Sequence, residues 1–178
     1  MHSPKRSVGS ILVAIVLIAA GCGSGSTSSP TDTVKEVFRL VEAGQLSKVP
    51  DLACAASKDR AAKEFDFAAA MAGSLPEGID AQQVAAAIHI TTSALTITEE
   101  SRTSDAASVR IKGTINIAVD SEKFKDILKS YLTASGLPAD DAAVDAAVAE
   151  MSGLLTTDQA VDTTADVILE GGAWKICE

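Results

Sequence analysis

Few residues in this chain can do chemistry, and their spacing narrows what they can do. Three cysteines stand at 22, 54 and 177, and beyond His2 the one histidine is His89. A serine or cysteine nucleophile needs a base within hydrogen-bond reach. His89 sits between Ile88 and Ile90 at the start of a β-branched run, where an exposed strand-face histidine is the expected role. Asp140, Asp141 and Asp145 cluster ahead of a helical pattern. Two or three carboxylates could hold Ca²⁺ weakly, but no loop has the ligand spacing of a calcium site. They read as favourable charge at a helix N-terminus. No glycine-rich phosphate loop, zinc-ligand spacing or basic-aromatic patch is present. No catalytic set, metal site or cofactor is therefore expected.

The position of Cys22 is the most informative feature. Lys5 and Arg6 lie in a short basic start, and Ile11 to Ala20 is an unbroken apolar run. A bilayer span needs roughly 20 apolar residues. The run is too short for that, but it suits the apolar core of a signal peptide. Ala19-Ala20-Gly21-Cys22 resembles the bacterial lipobox, with Ala19 where Leu is usual. The resemblance implies diacylglyceryl transfer to the Cys22 thiol, cleavage before it, and a lipid-anchored protein on the extracytoplasmic face of the cell membrane. Two acyl chains hold a protein on a membrane far more stably than one. Gly23 to Pro30 offers no apolar residue to bury and reads as a flexible tether, spanning about 16 Å.

Removing residues 1–21 from 178 leaves 157, enough for one domain with a single core. Lys5 and Arg6 leave with the signal, taking the formal charge from −9 to −11. Such a surface repels phosphate backbones, so nucleic acid is not an expected partner. With Cys22 assigned to lipid, Cys54 and Cys177 remain in an oxidising compartment, and a disulfide is the default reading. The alternatives are a metal pair, which would need further ligands, or two free thiols.

The elements that must position these residues follow from periodicity. Val34, Val37, Phe38 and Val41 make one helical stripe, Thr33 and Glu36 have capping-box spacing, and Gly44 is a natural stop. Pro50 can open a short helix carrying Leu52 and Cys54. Residues 58–72 are alanine-rich and helical, Pro76 and Gly78 break them, and Asp80 caps a helix over 81–87. Residues 88–99 switch to period two, with a slip between Ile90 and Leu95 that predicts a bulge. Val109, Ile111, Ile115, Ile117 and Val119 alternate with polar residues in a half-buried strand, with Gly113 among the inward positions.

Residues 121–153 return to the helical period. Phe124, Ile127, Leu128, Tyr131 and Leu132 form one stripe, Gly136 ends that helix, and Pro138 starts the next. The second stripe is Val144, Val148, Met151 and Leu155. Val161 to Glu170 and Ala173 to Cys177 flank Gly171-Gly172, a strong hairpin signal. Pairing across it sets Leu169 opposite Trp174 and Val167 opposite Ile176. Cys177 then points away from the apolar face, beside Asp166, so a bridge to Cys54 requires a twist, a bulge or passage around an edge.

The sum is an α+β domain over 31–178, behind a signal at 1–21 and an anchor and tether at 22–30. N-terminal helices pack on a curved antiparallel sheet of about four strands, with the 121–153 hairpin inserted between strands. The helix from Thr33, Cys54 in the second helical segment, and the closing Gly171-Gly172-Ala173-Trp174-Lys175-Ile176-Cys177 resemble cystatin-like, NTF2-like small lipoproteins of actinobacteria. The inserted hairpin departs from the minimal fold. The resemblance implies a cavity that, in enzymes of this kind, holds an acid or a tyrosine. Tyr131, the sole tyrosine, falls on an apolar stripe and reads as a core filler. The expected function is a non-enzymatic binding or interaction module of the cell envelope, meeting a protein partner. The alternative is a carrier of a small apolar or lipid ligand between sheet and helices, and an NTF2-like enzyme is the weakest reading.

Overall fold

Helix α1, Pro30–Glu42, starts where Ser29 can cap it. The Ser29 Oγ accepts from the Asp32 N–H at 3.2 Å and donates to the Asp32 carboxylate at 2.7 Å. Proline at the first helical position needs no N–H partner, which fixes the start ahead of the expected Thr33–Glu36 box. Thr33 is instead buried, its hydroxyl 3.3 Å from the Trp174 carbonyl, and Glu36 pairs with Arg39. Ser29 and Pro30 thus belong to the helix rather than the tether. The computed structural model describes residues 29–151 and 156–177. Cys22, the signal, residues 23–28, the Met151 side chain and Leu155 lie outside these.

A 3₁₀ turn at Leu46–Asp51 contains Pro50, so Leu52 and Cys54 follow the turn rather than ride on a helix. Their backbone is claimed by the last strand, as described below. The alanine-rich stretch is two helices, α2 at Lys58–Glu64 and α3 at Phe67–Ala72. Asp66 breaks it by accepting from the Ala69 N–H, 2.9 Å. Helix α4 is Ala81–Ala87, capped by Asp80 as expected. Strands β1 (Ile88–Arg102) and β2 (Ala106–Val119) form a hairpin, followed by helices α5 (Ser121–Ala134) and α6 (Asp141–Met151). Asp140, not Pro138, sets the start of α6, accepting from the Ala143 N–H at 3.0 Å. Strands β3 (Thr156–Glu170) and β4 (Ala173–Ile176) close the fold.

The architecture is α+β: the sheet is antiparallel in the order β1-β2-β3-β4, with helices on one face. Ile90 pairs with Ile117 and Ile97 with Ile111; Val109 pairs with Ala165 and Ala107 with Val167. These side chains share one face, and α1 packs across it. Val34, Val109 and Val167 are at most 1% exposed. Each such side chain contributes roughly 1.5–3 kcal/mol relative to exposure. The opposite face carries Arg110 and Lys112, which both pair with Asp162, and Asn116 bonded to Asp158.

The expected slip in β1 is a bulge. Register is lost between Ser93 and Thr96, and Ala94 takes a φ of 52°. The extra backbone arches over Gly113.

The hairpin α5–α6 is inserted between β2 and β3, but it packs on α4 rather than across the sheet. Ala87, Ile127, Val144 and Val148 are buried outside the main cluster, while Phe124, Leu128, Tyr131 and Leu132 are half-buried. Tyr131, expected as a core filler, is half-buried on a helix that lies beside the main core.

Cys54 and Cys177 are joined in a disulfide, with Cα atoms 5.4 Å apart. The Cys177 N–H does donate to the Asp166 carbonyl, 2.7 Å, as the strand register requires. The bridge passes around the sheet edge because residues 52–54 lie parallel to β4. The Ile176 N–H donates to the Leu52 carbonyl at 3.1 Å, and the Cys54 N–H to the Ile176 carbonyl at 3.0 Å.

Candidate binding cleft

Glu42 is the last residue of α1, where a carboxylate is unfavourable beside the negative end of the helix dipole. A tertiary contact compensates. Its Oε1 accepts from the Thr92 N–H at 2.8 Å and from the Thr92 hydroxyl. This bond docks the end of α1 on the outer edge of β1 and satisfies an edge donor that would otherwise be free. It also places the carboxylate at the rim of a cleft of about 410 Å³.

The walls of that cleft come from several elements. Val41 and Gly44 line it from α1 and the turn after it, Leu46 from the 3₁₀ turn, Phe67 from α3, Ala85 and Ala86 from α4, and Ile88 to Ile90 from the sheet. A volume in the range of roughly 300–1,000 Å³ is typical of small-molecule sites, and the walls here mix apolar side chains with polar surface. Phe67 packs against the edge of the main core and is half-buried.

His89 lines this cleft with its side chain 56% exposed. Its Nε2 lies 3.6 Å from the Asp120 Oδ2. Asp120 is the cap of α5, its Oδ1 accepting from the Glu122 and Lys123 N–H groups at 3.1 Å each. The Lys123 N–H bond, with His89 and the Glu122 N–H assisting, holds the Asp120 carboxyl below its ordinary value. Imidazole and carboxylate thus meet at the β2–α5 junction, with His89 exposed on its strand.

The clustered aspartates go to separate partners. Asp140 caps α6, Asp141 reaches Lys129 at 2.6 Å, and Asp145 reaches Lys125 at 2.8 Å. The Lys129 bond and charge hold Asp141 below the usual carboxylate range. Among the described residues, no three His, Cys, Asp or Glu side chains are grouped to hold a metal ion.

A second, more open cleft of about 510 Å³ lies at the β1–β2 turn end of the sheet, beside Cys177. Arg102 and Asp166 bring opposite charges to it, with Ser101, Thr103 and Ser108. The Arg102 guanidinium lies 4.8 Å from the Trp174 ring centroid, close enough for a cation–π contact.

Helices α5–α6 dock on α4 rather than across the sheet, where the carrier alternative would have set its ligand. The apolar space lies instead at the margin, between the end of α1 and the start of β1. Neither Glu42 nor Phe67 stood out in the sequence. The available signal was an acid at a helix C-terminus, which asks for a tertiary partner. No protein-family model matches the chain, and no curated protein matches it.

Proposed function

We propose that the protein is a lipid-anchored, non-enzymatic binding or interaction module on the outer face of the cell membrane. The lipobox pattern ending at Cys22 supports the anchor, and the Cys54–Cys177 disulfide is compatible with an oxidising compartment. One observation carries the interaction reading. Side chains fill the space between α1 and the sheet, so the open volume sits at the surface, where a partner can reach it. The acidic mature surface favours a partner with a basic or neutral face.

The 410 Å³ cleft supports a second reading, carriage of a small apolar ligand. Native mass spectrometry of protein isolated from membranes separates the two. A retained protein partner is the outcome expected of an interaction module. A co-purifying small molecule without a protein partner would favour carriage. A chain that binds neither would contradict both.

A further inference from the structure

We propose that the cleft between α1, α3, α4 and the start of β1 binds a small amphiphile with one apolar tail and a single amine. This rests on the second reading, carriage of a small apolar ligand, and names the ligand class for that site. The apolar part has a surface to meet: Val41, Leu46, Phe67, Ala85 and Ile88 face the space. The polar part meets negative charge from two sources. Glu42 brings its carboxylate, and it spends Oε1 on Thr92. A carboxylate has a second oxygen, here Oε2, that can accept from an ammonium. The same rim is the C-terminal end of a 13-residue helix, where the backbone dipole also favours a cation.

The one nearby basic side chain in the lining does not reverse this, because His89 faces Asp120. An anionic head would lie beside the Glu42 carboxylate, while Asp120 lies outside the lining and pairs with both His89 and Lys123, whose Nζ also donates to the Ala86 carbonyl. Charge makes no such choice at the second cleft, where Arg102 and Asp166 oppose each other. The far wall can adjust to a guest. Helix α3 buries none of its residues, and a segment with so few buried apolar contacts opens at low cost. A tail seated against Phe67 gives that wall the packing it lacks.

The test uses decylamine, decanol and decanoate, each below its micelle concentration, titrated into the protein as isolated from cells. Calorimetry reads affinity, and hydrogen exchange reads protection over residues 65–90. Decylamine should bind and protect that segment, with decanoate about tenfold weaker or worse. Glu42→Gln keeps an acceptor for Thr92 but removes the charge, and should lower decylamine affinity about tenfold, toward that of decanol. Ala85→Phe fills the space and should abolish binding of both. Trp174 fluorescence confirms that each variant is folded. Equal binding of decanoate, or decylamine binding unmoved by both substitutions, would overturn the assignment. So would failure of all three probes to bind, and a protein partner retained in native mass spectrometry would then leave the wider binding reading standing.

Discussion

A single hydrogen atom in place of a side chain at position 113 lets β1 and β2 pair through a bulge. A methyl group there would sit 2.9 Å from the Leu95 Cα and 3.2 Å from the Ala94 carbonyl oxygen and the Leu95 nitrogen. All three are backbone atoms, which cannot swing aside. Gly113→Ala should therefore destabilise the fold by about 1–3 kcal/mol. Urea denaturation would show this as a lower midpoint with an unchanged slope. Gly73→Ala, whose added methyl meets nothing within 4 Å, should leave the midpoint nearly unmoved. Equal midpoints for the two variants would contradict the close approach. The bulge was legible in the sequence, because the β1 alternation slips between Ile90 and Leu95. Glu42 was not, because its role depends on Thr92, 50 residues away in the chain.

The helical hairpin and the β4 edge are the elements that conditions should loosen separately. Helix α5 is joined to α6 by Lys129–Asp141 and Lys125–Asp145, and both lysines are raised by their carboxylate bonds. Asp141 is lowered from 3.8, so its stabilisation is present above that value and is lost as pH falls through the lowered one. Below about pH 4 the hairpin should lose helical ellipticity while fluorescence of Trp174, the sole tryptophan, stays native. High salt at neutral pH should weaken the same pairs. A coincident acid transition in both signals would contradict independent loosening.

At the other end, the disulfide ties residues 123 apart and pins the 52–54 segment to β4. Its reduction should cost about 3–5 kcal/mol in the chain-entropy account. That would appear as a clear drop in Tm with reductant, and an unchanged Tm would contradict the role. Periodicity revealed the strands and the longer helices, but it merged α2 with α3 and left several ends open. Those are set by the side chains of Ser29, Asp66 and Asp140, which accept first-turn N–H groups. The hairpin stripe did not say what it would meet; it packs on α4, and no periodicity says which neighbour an apolar face will meet.

At the scale of the whole molecule, an acidic domain with a filled core stands behind a candidate acylation site. The α+β order was readable because strands and helices have different periods and alternate in blocks along the chain. The surface cleft was not, since it is assembled from α1, α3, α4 and β1 only after folding. The proposed anchor makes a prediction independent of any ligand. Cys22→Ala should move the protein from the membrane to the soluble fraction, and an unchanged membrane fraction would contradict it. The most direct measurement is the intact mass of the native protein extracted from membranes. The account predicts a chain that begins at Cys22 and carries the added mass of a diacylglyceryl group. A chain that begins at Met1 with no acyl mass would contradict it.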